Sequence, residues 1–249
     1  MRLAQKLRYQ VFYNELSAAR HPMAMFWRRD VDHFDSICDP LVVFDREARG
    51  TGDPRKPKVV GTYRLLRQSV AERHGGFYTA GEYDIGGLLA QHRDLKFLEL
   101  GRSCVLAPYR DRRTVELLWH GVWTYVVRHR IDVIIGCASF EGINPDKLAL
   151  PLSFLHHHAQ APAGWRVRAR SPRYVEMNRL PKKTVDAKSA LRALPPLIKG
   201  YLRVGAFIGE GAVIDRKFGT TDVFVELPVS AINQRYIEHF GLGAERHAA

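Results

Sequence analysis

No apolar run in this 249-residue chain approaches the roughly 18 residues that a membrane-spanning helix needs. The opening Met1-Arg2-Leu3-Ala4-Gln5-Lys6 lacks the apolar core and small-residue cleavage site of a signal peptide, so a cytoplasmic protein is expected. Cysteine is scarce. Cys38, Cys104 and Cys137 are far apart and show no metal-ligand spacing, which excludes a disulfide framework and points to reduced, packed thiols. Acidic residues are the minority, 26 against 38 basic ones, for a net charge of +12. Such an excess favours an acidic partner. No zinc-finger spacing, basic zipper or RNA-binding aromatic signature accompanies the charge, so no nucleic acid is expected and a small acidic protein or an anionic lipid surface is left. There is no internal repeat and no low-complexity tract.

What is present is an ordinary globular composition with mixed helical and strand patterning, which implies an α/β or α+β fold around one central sheet. Leu3, Leu7, Val11 and Phe12 recur at helical spacing and predict a helix over 3–19. Residues 23–39 read as irregular. Strands at 41–46 and 58–67 flank the turn-forming run 50–57 and predict a hairpin. Further strands are expected at 77–83, 97–106, 131–139, 165–169, 174–177 and 222–226. Helices are expected at 87–92, 113–130, 145–158 and 229–240. After Pro181 a short helix and a Gly-rich piece over 205–211 follow. The expected division is a core over 1–180 and a C-terminal extension over 181–249 that packs on the core or completes it.

The centre of the chain, 97–140, carries the chemistry. Its first strand holds Glu99 and Arg102. Strand periodicity places residues three apart on opposite faces, and a bulge near Gly101 would bring them together. Glu99 can then take a proton from an amine nucleophile, which must be neutral to attack a thioester; the competing reading is a structural ion pair. Pro108 ends the strand. Arg110, Arg112 and Arg113 with Thr114 then open a helix whose stripe is Val115, Leu118, Trp119, Val122 and Val126. Three cations at a helix N-terminus are unfavourable without an anion, so this turn reads as a phosphate site. Asp32 and Asp35 can hold ammonium groups of an amino acid or belong to a solvated loop. Tyr109 can protonate a leaving thiolate or simply pack. Ser139 can hydrogen-bond a pantetheine arm or cap a turn. Cys104 has no partnered His–Asp arrangement and reads as core. His156-His157-His158 point in different directions on a helix, so no metal site is expected.

Taken together, the motifs resemble a family. Arg8-x-x-x-Phe12, Asp32-x-x-Asp35, Gly61-Thr62-Tyr63-Arg64-Leu65-Leu66 and Glu99-x-x-Arg102 follow the order of the acyl-homoserine lactone synthases, which have the GNAT fold. The longer matches resemble bacterial L-ornithine Nα-acyltransferases: Gly101-Arg102-Ser103-Cys104-Val105, Tyr109-Arg110-x-x-Arg113-Thr114-x-Glu116-Leu117-Leu118-Trp119-His120-Gly121, Gly136-Cys137-Ala138-Ser139-Phe140, the run 194–201 and Thr221-Asp222-Val223-Phe224-Val225. The resemblance implies a GNAT-like central mixed twisted sheet flanked by helices. It implies transfer of a 3-hydroxyacyl chain from the phosphopantetheine thioester of acyl carrier protein to the α-amine of L-ornithine, giving a lyso-ornithine lipid, with no permanently bound cofactor. Carried over by position, Glu99 is the base and Arg102 supports the bulged strand. Arg8, Phe12, Asp32, Asp35, Arg64, Ser103 and Ser139 line the substrate side, and Leu106, Tyr109, Arg110, Arg112, Arg113 and Thr114 the carrier side. Backbone amides near Leu106 are expected to hold the oxyanion.

Two departures sharpen this. Ala18 and Ala19 stand where the lactone synthases carry an aromatic residue after their Arg-x-x-x-Phe motif, which argues against lactone synthesis. The turn also lacks the Gly-rich phosphate loop of acetyl-coenzyme A enzymes, which favours a carrier-bound donor. Lactone synthesis or another N-acyl amino acid synthesis is the alternative. A basic membrane- or nucleic-acid-binding protein on a degenerate acyltransferase fold is a second; the apolar-basic run 194–206 suggests contact with an anionic inner-membrane surface.

Overall fold

The computed structural model describes residues 1–16, 18, 22–50, 53–233 and 236. Helix α1 (Arg2–Tyr9) runs into a π-helical turn, Gln10–Glu15. The wider turn rotates the residues within and after it off the 3.6 spacing, so Tyr13 is buried and Phe12 only half-buried; Leu3, ahead of the turn, is 41% exposed. The segment expected to be irregular contains the short α2 (Pro22–Trp27) and a 3₁₀ turn, His33–Ser36. The hairpin forms from β1 (Asp39–Gly50) and β2 (Asp53–Arg67), followed by the one-turn α3 (Gln68–Ala71).

Residues 77–83 are not a strand. They hold a 3₁₀ turn, Tyr78–Gly81, because the Tyr78 and Thr79 amides point at a side chain, Glu99, rather than at a ladder. Next come α4 (Gly86–Gln91) and β3 (Phe97–Val105). Helix α5 (Arg112–His129) is started by Asp111, whose carboxylate accepts from the Thr114 amide at 2.7 Å, and stopped by Arg130 in the left-handed region. Strand β4 (Val133–Glu141) and helix α6 (Ala149–His158) follow. The run 165–169 contributes single bridges at Arg168 and Ala169 instead of a strand. Only Tyr174–Val175 pairs as β5. Helices α7 (Ala187–Ala193) and α8 (Pro196–Val204) lead to β6 (Phe207–Asp215) and β7 (Thr220–Pro228). The Gly-rich piece therefore belongs to a strand, one with broken register between Ile208 and Ala212. Of the helix expected at 229–240, the structure shows a 3₁₀ turn, Val229–Ala231; most of the rest lies outside the described residues.

The strands form one mixed seven-stranded sheet in the order β1-β2-β3-β4-β7-β6-β5, antiparallel except for β3 beside β4. One face (Leu98, Leu100, Ile134, Val223, Val225) packs on α5, α6 and α8. The other (Leu66, Phe97, Ile135, Phe224) packs on Tyr83, Ile85 and Leu88. Helix α1 covers the β2–β3 end through Leu7, Val11, Val60 and Leu106. Helix α8 buries Ile198, Tyr201 and Val204 in the core, so the apolar side of the run expected at a membrane surface is already covered.

Strands β3 and β4 pair only at Phe97–Val133, Leu98–Ile134 and Glu99–Ile135, then part. At the fork β4 lies so close that a Cβ on Gly136 would run into the Leu100 carbonyl oxygen. On the β2 side, Thr62 pairs with Cys104 and Arg64 with Gly101, so β3 carries one extra residue there. Arg102 absorbs it at φ 50°, in the left-handed region. The expected bulge is present.

Candidate active site

The parted strands open a cavity of about 820 Å³. Its walls are β3 from Glu99 to Val105, β4 from Cys137 to Glu141, the start of α5 (Val115, Leu118, Trp119), the α8 approach (Pro195, Pro196, Leu197) and the π-turn residues Val11 and Phe12. Most of the lining is apolar, and the volume suits a ligand with a long aliphatic portion. Val115, assigned to the core stripe of α5, is 44% exposed and faces this cavity.

Glu99 sits at the fork, 5% exposed. Its Oε1 accepts from the Thr79 amide at 2.7 Å and from the Thr79 hydroxyl; its Oε2 accepts, among the described residues, from the Tyr78 amide alone, at 3.0 Å. Burial raises its pKa, and these donors pull the other way without cancelling the rise. Glu99 and Arg102 form no ion pair among the described residues. Tyr78 stands between them, its amide on Glu99 and its ring 4.9 Å from the Arg102 guanidinium.

Arg102 belongs instead to a buried network of three arginines and three aspartates. Arg8, 1% exposed, forks onto Asp35 at 2.7 and 2.8 Å and reaches the Asp30 carbonyl at 2.6 Å. Arg64 meets Asp32 at 2.6 Å, and Arg102 meets Asp32 at 3.1 Å. Arg102 Nε also lies 3.4 Å from Asp30 Oδ2. Burial opposes ionisation of Asp32 and Asp35, but Arg64 wins at Asp32 and Arg8 at Asp35, so both titrate below the usual carboxylate range. The network is charge-balanced. Of its members only Arg64 and Arg102 line the cavity; Arg8, Asp32 and Asp35 stand behind them.

The remaining expected residues divide similarly. Phe12, Ser103, Ser139 and Arg110 line the cavity. Arg110 also contacts the Val105 carbonyl at 3.0 Å and Glu15 at 2.5 Å. Arg112 pairs with Glu116 at 2.7 Å, Arg113 is exposed, and the Thr114 amide is already held by Asp111. Leu106 is core, with its amide on the Val60 carbonyl at 2.9 Å. Tyr109 donates to Asp45 at 2.7 Å and is not among the lining residues. Cys104 is buried and its thiol is pushed up by burial. In the histidine run, His157 bonds the Leu180 carbonyl and His156 faces Gln160.

Sequence reasoning missed Asp30, Tyr78 and Thr79. It also missed a second acidic group, Glu82, Asp215 and Asp222, whose ligand atoms lie within 4.8 Å of one another. A signal existed for two of them. Asp30 extends the Asp32-x-x-Asp35 pattern, and Asp222 interrupts an otherwise apolar strand. Nothing in the periodicity of 77–83 marks Tyr78 or Thr79 as partners of Glu99.

A parted β3–β4 pair around a polar fork and an apolar cleft is suited to holding an acyl donor against a nucleophile. The acetyltransferase (GNAT) domain family model matches residues 7–120, and the protein is an acyltransferase of this fold. An L-ornithine N(alpha)-acyltransferase of Agrobacterium fabrum is 52% identical over 98% of this chain and 82% of its own length. One from Rhizobium meliloti is 50% identical over 99% of this chain and 82% of its own length, and one from Rhodobacter capsulatus 41% identical over 96% and 90%. The chain belongs to the L-ornithine Nα-acyltransferase family. Among solved structures, FeeM, an N-acyl amino acid synthase from uncultured soil microbes, aligns over 91% of this chain and 83% of its own at 12% identity, with a TM-score of 0.47. Among the described residues no helix is long and apolar enough to cross a membrane.

Proposed function

We propose that the protein moves a 3-hydroxyacyl chain from the phosphopantetheine thioester of acyl carrier protein to the α-amine of L-ornithine, giving a lyso-ornithine lipid. The observation that carries this reading is the buried carboxylate of Glu99 at the mouth of the β3–β4 fork, beside an apolar cavity large enough for an acyl chain. The L-ornithine Nα-acyltransferases to which the chain is similar support the acceptor.

In this reading the acyl chain lies among Leu118, Trp119, Phe140 and Leu197, with its thioester carbonyl over the β3 bulge. The neutral α-amine attacks that carbonyl. Glu99 accepts the proton that the nitrogen loses, at Oε2, which has one donor where Oε1 has two. Its raised pKa makes it a better base than an exposed carboxylate. The oxyanion is met by amides of the bulge at Arg102 and Ser103, where register is broken; the Leu106 amide is already committed to Val60. The tetrahedral adduct then expels the thiolate, and the proton ends, through Glu99 and solvent, on the departing thiol. Arg102 and Arg64 face the acceptor, with Arg8, Asp32 and Asp35 holding them in place. Arg110, Arg112 and Arg113, all exposed around the start of α5, meet the carrier phosphate and the acidic carrier surface.

The reading also includes contact with an anionic membrane surface, where an amphiphilic product would leave. The exposed Met25, Phe26 and Trp27, followed by Arg28 and Arg29, suit that contact. The test is mass spectrometry of products from the purified protein, 3-hydroxyacyl carrier protein and a mixture of amino acids. Acyl-ornithine substituted on the α-nitrogen is expected. Acylation of a different amine, or no acylation with the carrier protein still bound, would refute the assignment.

A further inference from the structure

The Asp32–Asp35 pair that sequence reasoning offered to an ammonium is neutralised by Arg8, Arg64 and Arg102. A second acidic group beside the same cavity has a single ion pair among the described residues to set against three carboxylates. Asp222 lies on β7, Asp215 at the end of β6 and Glu82 just after the 3₁₀ turn that holds Glu99. Their closest ligand atoms all lie within 4.8 Å. Asp215 and Asp222 line the cavity. The one ion pair within this group among the described residues is Arg173 to Glu82 at 3.3 Å, and Arg173 is half exposed.

Asp222 supplies the second observation. It is more than nine-tenths buried and faces the cavity; the Ser139 and Thr220 hydroxyls lie close to its carboxylate, yet its Oδ1 has no hydrogen-bond partner among the described residues. A buried carboxylate oxygen left unpaired is costly, and a partner arriving with the ligand removes that cost. We propose that this cluster is the subsite for the side-chain ammonium of the amino-acid acceptor, seated between Asp215 and Asp222 with Glu82 behind. This rests on the acyl-transfer reading above and names the group that selects a cationic acceptor.

Position agrees. The Cys137 thiol is 4.0 Å from the Thr79 hydroxyl, which bonds Glu99, and 3.6 Å from Glu82 Oε2. The base and the acidic cluster are therefore neighbours across one side chain. The two amines of ornithine are five bonds apart, about 6 Å when extended. An α-amine at Glu99 can thus coexist with a side-chain ammonium at the cluster. Electrostatics agree as well. Burial, then the nearby Glu82 and Asp215, lift Asp222 to about 7 against the pull of the Ser139 hydroxyl, and a bound cation would reverse that lift. A divalent metal completing its coordination with water is the other occupant, and a chelator separates the two.

The experiment uses the full chain with 3-hydroxyacyl carrier protein and two acceptors: L-ornithine, and L-norvaline, which has the same carbon skeleton without the side-chain amine. Asp222→Asn is expected to lower kcat/KM for ornithine about 10- to 100-fold, mostly through KM, while norvaline loses far less, so that the preference collapses. Asp215→Asn, at a half-buried position where folding is safer, is expected to do the same in smaller measure. If the wild-type chain acylates ornithine and both variants keep its preference over norvaline, the subsite is overturned while the function stands. If the wild-type chain makes no acyl-ornithine, the functional reading itself fails and takes the subsite with it. Loss of the preference on adding a chelator would assign the cluster to a metal ion and overturn the proposal.

Discussion

Glu226 offers a test of the electrostatics that needs no substrate. It lies on β7, 0% exposed, between Ile135 on β4 and Phe207 on β6, and neither carboxylate oxygen has a hydrogen-bond partner among the described residues. Burial alone raises it from the ordinary 4.5 to about 8. The sign follows from proton counts. Below pH 4.5 both folded and unfolded chains hold the proton, and Glu226 costs little. Between 4.5 and about 8 the unfolded chain has released it while the folded chain keeps it, so stability falls as pH rises. At about 1.4 kcal/mol per pH unit the penalty approaches an upper bound on the order of 5 kcal/mol above pH 8, and water reaching the site would lower it. Glu226→Gln removes the titration and keeps the shape. Urea unfolding of both proteins at pH 5 and pH 8.5 is the assay. The variant should be the more stable at pH 8.5, by about 2–5 kcal/mol, with a much smaller gap at pH 5. Groups common to both proteins, Asp222 among them, cancel in the difference. A gap that does not change with pH, or a variant less stable at pH 8.5, would refute the reasoning.

Three further outcomes follow from the same structure. Arg8→Leu leaves the Asp30 and Asp35 carboxylates buried without their main cation and should cost about 3–5 kcal/mol in urea unfolding; a loss under about 1 kcal/mol would mean that water replaces the guanidinium. Gly136→Ala pushes a methyl into the Leu100 carbonyl and should cost about 1–3 kcal/mol, so an unchanged unfolding midpoint would show that the fork is looser than described. Charge reversal at Arg110 and Arg113 together should weaken carrier binding at low salt and flatten its salt dependence, whereas unchanged affinity would remove these residues from the docking surface.

Much of this site was legible in the sequence because it rests on local grammar. The stripe on α5, the apolar run of β4 and the Arg-rich turn after Pro108 set up the strand–helix–strand unit, and the bulge in β3 was expected from Gly101 beside a polar pair. Residue roles were less legible, because they depend on contacts far apart in the chain. Arg8 meets Asp35 across 27 positions, Arg64 meets Asp32 across 32, and Glu99 takes its donors from Tyr78 and Thr79, 21 and 20 positions earlier. Strand propensity at 77–83 failed because those amides serve a buried carboxylate, a tertiary demand that outweighs local preference. The Asp32–Asp35 motif was visible as a pair of acids; that arginines already answer them is visible only once α1, β2 and β3 are brought together, and that Asp222 faces the cavity only once β7 lies beside β4.

The most direct test of the central claim compares Glu99→Gln with the wild-type chain in single-turnover acylation of ornithine, alongside carrier-protein affinity. Removing the proton acceptor at the fork should slow acyl transfer about 10²- to 10⁴-fold while carrier affinity changes little. Equal rates of transfer, with the variant folded and the carrier bound, would contradict the account.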